Sequence, residues 1–179
     1  MKSCNNTPPV SIRNKDKWIE VERRRWAEQL HIPMVASPPA GFPVLTLQTQ
    51  RALCALEIGH PELMTGALDA LYQAHWAQGD SSVGQLEGVG KVLNAVLGEE
   101  VVKDGLGKAA GKEAKDRLAE NTERAFKSGA FGLPWFECEN ERGEQQGFWG
   151  VDHLGQVVRF LGLEGRVELE RSADMRAML

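Results

Sequence analysis

The change of hydrophobic periodicity at Gly129 limits most strongly what this chain can fold into. Apolar residues recur with helical spacing up to Ser128 and alternate with polar residues from Trp135 onward. Gly129 can end a helix, Pro134 can begin a strand, and residues 150–152 lead from a second strand into another helix. The sequence therefore predicts a helix, a β-hairpin and a helix in this order. The X-Pro bond before Pro134 suits a cis peptide.

Helical patterns dominate the rest of the chain. The predicted helices cover residues 16–31, 44–58, 61–78, 81–98, 99–108, 111–128 and 154–161. Ser81 or Ser82 is the expected N-cap of the helix that continues to residue 98. Two strands alone do not form a stable sheet in water, so helices should cover the hairpin.

Aromatic and acidic residues of the hairpin have competing interpretations. Phe148 and Trp149 are interpreted as hairpin core in preference to ligand contacts. Asp152 is either the N-cap of the last helix or a carboxylate that contacts a ligand, and both roles are compatible.

Length and charge exclude several classes of protein. The chain has 179 residues, which suffices for one domain with a sizeable core, and a net charge of −4. Because acidic and basic residues are mixed along the chain, no nucleic-acid partner is expected. No apolar run reaches the ~20 residues of a membrane span, so we expect no membrane partner and a soluble, cytoplasmic protein. The ending Ala177-Met178-Leu179 resembles a peroxisomal signal weakly, which leaves peroxisome or mitochondrion as alternatives.

Cysteine and histidine spacing indicates neither a redox pair nor a metal site. The three cysteines lie far apart in the sequence at positions 4, 54 and 138, and no CxxC motif occurs. The four histidines are equally scattered. We therefore expect no disulfide framework and no bound metal.

Two motifs resemble those of a known family. Residues 129–134 (GAFGLP) and 148–154 (FWGVDHL) are similar to motifs of the kappa-class glutathione transferase and 2-hydroxychromene-2-carboxylate isomerase branch of the DsbA-like thioredoxin superfamily. Residues 5–9 (NNTPP) and 15–34 follow in family order. The resemblance implies a mostly helical α/β chain, namely a truncated DsbA-like thioredoxin fold with an inserted all-helical domain.

The resemblance also implies a domain organisation. Residues 1–179 would form a single unit. Within it, 16–128 would be the mainly helical insertion, 129–163 the C-terminal half of the thioredoxin fold, and 164–179 a tail.

Glutathione is the cofactor or cosubstrate that the resemblance implies. Backbone groups of Leu133, before Pro134, would pair with its cysteinyl part as an added strand does. Asp152 would hold the α-ammonium of its γ-glutamyl end, and Val151 would contribute a backbone N–H. The implied glutathione-binding set is Leu133, Pro134, Val151, Asp152, Asn6 and Lys15.

The implied function is a glutathione-dependent transferase or isomerase. The glutathione thiolate would add to an electrophilic, aromatic or polyketide-like small molecule. The family's first strand, its thiolate-activating Ser turn and its second strand would precede Met1, so no catalytic residue is expected in this chain. The alternative is a non-catalytic binding or assembly module that pairs with another chain through the exposed strand edge. A homodimer is the expected assembly.

Overall fold

The computed structural model describes residues 4–5 and 7–163. The described elements are α1 (Lys15–Gln29), α2 (Leu47–Gly59), α3 (Met64–Tyr72), α4 (Leu86–Leu97), α5 (Glu99–Lys108), α6 (Lys112–Lys127), β1 (Trp135–Glu139), β2 (Gln145–Trp149) and α7 (Leu154–Phe160). The described part of the chain is thus mostly helical with a small two-stranded sheet, as predicted. No helix in this described part is both long and apolar enough to cross a membrane.

The chain divides into two compact units. One unit comprises Met1–Leu30 and Thr122–Leu179, and the other comprises His31–Asn121. The predicted division at residues 16, 128 and 163 stays a prediction.

The unit His31–Asn121 is built on apolar faces of α2, α3, α4 and α5. Its main core is a contiguous cluster of buried residues, namely Ala52, Leu53, Leu56, Ala67, Leu71, Ala74, Val83, Val89, Leu93, Val102 and Ala109. A second small cluster joins Cys54 and Ala55 of α2 to Ala114 of α6. Apolar residues three and four apart on each helix create these faces, because such positions lie on one side of a 3.6-residue turn.

The segment before α4 differs from its predicted form. Asp80, and not Ser81 or Ser82, supplies the cap, since its Oδ1 accepts a 2.7 Å hydrogen bond from the backbone N–H of Ser82. The cap starts a short 3-10 turn, Ser81–Gly84, and α4 begins only at Leu86. A carboxylate two residues before the N–H it accepts from is a common way to satisfy a helix start.

The end of α6 leads directly into the hairpin. The N–H of Gly129 donates to the carbonyl of Phe126, and the N–H of Ala130 donates to that of Ala125. Gly129 has a φ of +103°, a value that glycine adopts without steric cost. These two bonds and this left-handed glycine form a Schellman ending, so the helix stops where the sequence predicts.

The strands β1 and β2 pair antiparallel. Trp135 lies opposite Trp149, and Phe136 lies opposite Phe148. Because side chains alternate between faces, the two tryptophans share one face of the hairpin and the two phenylalanines share the other. Phe148 is 6% exposed and packs on Phe160 of α7, with ring centroids 5.7 Å apart.

The prediction that Phe148 and Trp149 both belong to the hairpin core is therefore only half right. Phe148 is buried, whereas Trp149 is 40% exposed on the opposite face. Consecutive strand residues cannot both face a helix that covers one side of the hairpin.

Candidate functional site at the hairpin entrance

The predicted proline stands where β1 begins. The Leu133–Pro134 peptide bond is cis, and the Leu133 side chain is 81% exposed. The carbonyl of Pro134 accepts a 3.1 Å hydrogen bond from the N–H of Gly150. This bond places the start of β1 beside the turn that follows β2, so residues far apart in sequence meet at one end of the hairpin.

Backbone groups along one edge of β1 have no partner strand in the part of the chain that the structure describes. In an antiparallel sheet, residue pairs that exchange backbone hydrogen bonds alternate with pairs that do not. Since Pro134 and Gly150 form a hydrogen-bonded pair, Trp135 and Glu137 of β1 belong to pairs of the other kind. The N–H and C=O groups of Trp135 and Glu137 therefore point away from β2. Within residues 4–5 and 7–163, the N–H and C=O of Leu133 likewise have no hydrogen-bond partner.

Asp152 lies in the turn that follows β2. It is the middle residue of the 3-10 turn Val151–His153, whose cap is Gly150. The expectation that Asp152 could be the N-cap of the last helix is thus wrong, because α7 begins two residues later, after His153. The carboxylate is exposed, and its Oδ1 lies 3.3 Å from the buried Nδ1 of His153 without the alignment of a hydrogen bond.

The structure brings together four of the six predicted binding residues. The Gly150 N–H donates to the Pro134 carbonyl, which puts Leu133 and Pro134 on one side of this bond and the Val151–His153 turn directly after Gly150 on the other. Lys15 is exposed at the start of α1, and no hydrogen bond or ion pair of the described chain joins it to those four. Asn6 lies outside the described residues.

An aromatic pair beside this entrance was not among the predicted residues. The rings of Phe131 and Trp149 have centroids 5.0 Å apart, and the side chains are 46% and 40% exposed. The signal in the sequence is the alternation of β2, because it directs one of two consecutive aromatic residues outward.

Trp135 lies on the same face as Trp149 but is held differently. Its indole N–H donates a 3.0 Å hydrogen bond to Oγ of Ser128, and its ring covers Gly147, where a Cβ would overlap the ring. Trp135 is therefore a packing residue of the hairpin.

A separate open groove runs along the hairpin away from the proline. Its volume is about 410 Å³, and its walls include Ser128, Glu137, Glu139 and Gln145. None of the predicted binding residues lines it. Two carboxylates make it unsuitable for an anionic ligand, because like charges repel.

Two thiols of the described chain are poorly suited to nucleophilic chemistry. Burial raises the pKa of Cys54, and it also raises the pKa of Cys138. Fewer thiolates then form at neutral pH, which lowers reactivity. Residues 4–5 and 7–163 contain no grouping of three or more His, Cys, Asp or Glu side chains that could hold a metal ion.

Comparison with known proteins identifies the family. The profile of the DSBA-like thioredoxin domain matches residues 1–162. Glutathione S-transferase kappa 1 of Homo sapiens is 26% identical over 166 residues, which are 90% of this chain and 73% of that protein. The Caenorhabditis elegans protein of the same name is 25% identical over 169 residues, or 90% of this chain and 72% of its own length. Because the profile spans nearly the whole chain, the chain belongs to the DSBA-like thioredoxin domain family.

Proposed function

We propose that this chain binds glutathione at the hairpin entrance and serves a glutathione-dependent transferase or isomerase reaction. The proposed second substrate is an electrophilic small molecule, aromatic or polyketide-like. The observation that carries this proposal is the Leu133 backbone beside Pro134, which has no hydrogen-bond partner among the described residues and is joined through the Gly150 hydrogen bond to the turn that holds Asp152. The similarity to glutathione S-transferases kappa 1 supports the same ligand.

The residues at this entrance suit a γ-glutamyl tripeptide. An extended peptide presents alternating N–H and C=O groups, with which the backbone groups of Leu133 can pair as with a short added strand. The tripeptide also carries an α-ammonium group, for which the exposed carboxylate of Asp152 is a charged acceptor. Val151 offers its backbone N–H, and we propose Asn6 and Lys15 as further contacts.

Glutathione supplies the nucleophilic sulfur when it is bound. This chain's own residues are proposed to bind and orient the tripeptide, and none of them is assigned the activation of the thiol. Ser128, the serine nearest to the site in sequence, has a hydroxyl already engaged with Trp135, Glu137 and the carbonyl of Ala125. The Ser128 hydroxyl is therefore occupied by hydrogen bonds that join the end of α6 to β1.

A thermal-unfolding titration tests this proposal. Millimolar glutathione should raise the Tm of the chain, because a ligand that binds only the folded state stabilises it by mass action. S-methylglutathione should raise the Tm as well, because recognition through backbone and ammonium groups does not require a free thiol. An unchanged Tm with both ligands would contradict the proposal.

Two matched variants test whether glutathione binds at Asp152. Asp152→Asn should weaken glutathione binding about tenfold, because it removes one charged partner of the ammonium group. Glu141→Gln removes a carboxylate from the exposed hairpin turn and should leave the affinity unchanged. Equal losses in the two variants would indicate a general charge effect and would remove Asp152 from the site.

A second candidate function is an assembly module. The observation in its favour is the edge of β1 that lacks a partner strand within the described residues. This candidate predicts self-association without stabilisation by glutathione. Measuring both properties on one preparation separates the two functions.

A further inference from the structure

We propose that His153 is a positioning residue for the Asp152 carboxylate. Its buried Nδ1–H holds one carboxylate oxygen, so that the other oxygen faces the α-ammonium group of glutathione. This inference deepens the proposed function and rests on it for the identity of the ligand. The imidazole of His153 is assigned no contact with glutathione, because it acts through Asp152.

The Nδ1 atom of His153 is buried without a hydrogen-bond partner in the part of the chain that the structure describes. A buried polar atom of this kind costs free energy, so its position needs an explanation. An acceptor lies close by, since Oδ1 of Asp152 is 3.3 Å away. Hydrogen bonds that serve a ligand are often long or poorly aligned before that ligand is bound. A rotation of the exposed Asp152 side chain can therefore complete the bond.

The carboxylate also decides which nitrogen of the His153 ring carries the proton. In a neutral imidazole, one nitrogen is a donor and the other is an acceptor. A lone pair on Nδ1 would face the negative charge of Oδ1, whereas an N–H in the same place is attracted to it. The geometry therefore assigns the proton of the neutral ring to Nδ1.

Gly150 leaves room for this pair. A Cβ at Gly150 would overlap Oδ1 of Asp152 and would lie 3.9 Å from Nδ1 of His153. Both polar atoms thus lie on the same side of the Gly150 backbone, whose N–H donates to the carbonyl of Pro134. With Oδ1 held there, Oδ2 is the oxygen that remains for the ammonium group.

His153 matters because the Asp152 side chain has little else to restrain it. That side chain is 58% exposed, and among the described residues its one ion-pair neighbour is His153. A carboxylate that is already oriented loses less side-chain freedom when it binds a cation. The affinity for glutathione should therefore depend on His153 as long as Asp152 is present.

Nitrogen NMR of the full chain with isotope-labelled histidine tests the pair without glutathione. At about pH 9, where ordinary imidazole groups are neutral, His153 should carry its proton on Nδ1. The variant His153→Leu assigns the signal, and Asp152→Ala should lower the fraction of this tautomer. A wild-type His153 ring that carries its proton on Nε2 would overturn the inference.

Calorimetric titration with glutathione tests the positioning role. His153→Leu should weaken binding about fivefold, because the carboxylate is no longer held. His153→Asn can place its amide N–H where Nδ1 stands and should restore the affinity to within about twofold of the wild type. In an Asp152→Ala background, His153→Leu should change the affinity less than about twofold. A fivefold loss in both backgrounds would indicate a general structural role and would overturn the inference.

His60 provides a matched control in another part of the chain. Its Nδ1 lies 3.6 Å from Oε1 of Glu62, and both side chains of this pair are about as exposed as those of His153 and Asp152. His60→Leu should leave the affinity for glutathione unchanged. A loss equal to that of His153→Leu would overturn the inference.

The outcome is separable from that of the proposed function. If the Nδ1 tautomer of His153 depends on Asp152 while glutathione does not bind, His153 positions the carboxylate and the proposed function fails. If glutathione binds and His153→Leu leaves its affinity unchanged, the proposed function stands and the positioning role is overturned.

Discussion

Gly88 is the third residue of α4, where an added side chain would meet backbone atoms. A Cβ at Gly88 would overlap the carbonyl of Ser82, and backbone atoms cannot rotate away as a side chain can. Gly88→Ala should therefore lower the free energy of unfolding by about 2 kcal/mol, measured by urea denaturation. Gly66 in α3 has no atom within 4 Å of the same position. Gly66→Ala should raise stability by up to about 1 kcal/mol, and similar effects in both variants would refute the steric explanation.

Asp80 makes the stability of its unit dependent on pH. Its hydrogen bond from the Ser82 hydroxyl and then that from the Ser82 N–H hold the pKa of the Asp80 carboxyl below its usual range. A lowered folded-state pKa adds stability above the unfolded-state pKa of about 4 and loses it as pH falls through the folded value. Asp80→Asn keeps a capping oxygen but cannot titrate. The wild-type chain should therefore be the more stable at neutral pH, and the difference in urea midpoints should shrink as the pH falls below the unfolded-state pKa of about 4.

Side-chain identities explain which details the sequence could predict at this scale. The alternation of β1 and β2 is visible in the sequence, whereas the outward position of Trp149 follows only once α7 is known to cover the face that holds Phe148. From the sequence alone, Gly88 is expected only to weaken its helix. Its close contact with Ser82 comes from tertiary packing, which local propensity does not contain.

Packing of α2 on α6 is sensitive to volume at one position. Ala114 of α6 is 1% exposed and contacts the buried cluster with Cys54 and Ala55. Ala114→Leu should lower the free energy of unfolding by about 1 to 3 kcal/mol, because a close-packed site cannot accept the added carbons. Ala119→Leu makes the same change at an exposed position of the same helix and should be nearly neutral. Thermal unfolding of the two variants gives the comparison, and equal effects would contradict a packed α2–α6 contact.

The observed bounds of the helices agree with the predicted ones where residues close in sequence determine them. The predicted helix 99–108 coincides with α5, which Gly98 precedes with a left-handed φ of +86°. The predicted start of α2 at residue 44 is three residues early, because Val44 packs at Gly84 instead of joining the helix. The predicted helix 61–78 continues past α3 as a π-helical turn, Gln73–Ala77. Hydrogen-bond spacing of that kind leaves no trace in apolar periodicity.

At the scale of the whole molecule, the edge of β1 is a candidate interface for a dimer. If two copies pair through this edge, Glu137→Pro should convert a dimer into a monomer, as measured by light scattering. The N–H of Glu137 points away from β2, so proline removes a donor to the partner strand while the hairpin keeps its own bonds.

A charge variant separates backbone pairing from electrostatics. Glu137→Gln keeps the outward N–H and should keep the dimer, or strengthen it where the two carboxylates lie opposite each other. A dimer that persists in Glu137→Pro would exclude the β1 edge as the interface.

The overall fold could be predicted from the sequence because the motifs that indicate it are short and specific. The motifs at residues 129–134 and 148–154 predicted the DsbA-like thioredoxin family, which the profile match confirms. The site was accessible only in part. Pro134 and Asp152 stand in those motifs, whereas the aromatic pair of Phe131 and Trp149 depends on loop packing that no motif encodes.

The alternation of β2 has a consequence for how this hairpin can change over generations. Inserting or deleting one residue within the strand would turn Phe148 outward and Trp149 towards α7, so core and surface rings would exchange roles. A residue added in the turn at 140–144 leaves the alternation within both strands unchanged, and what it disturbs is the pair of hydrogen bonds that the Asn140 side chain accepts from the N–H groups of Arg142 and Glu144. Descendants of this chain should therefore tolerate changes of length in the turn better than in the strand, and alter the outward ring only by substitution.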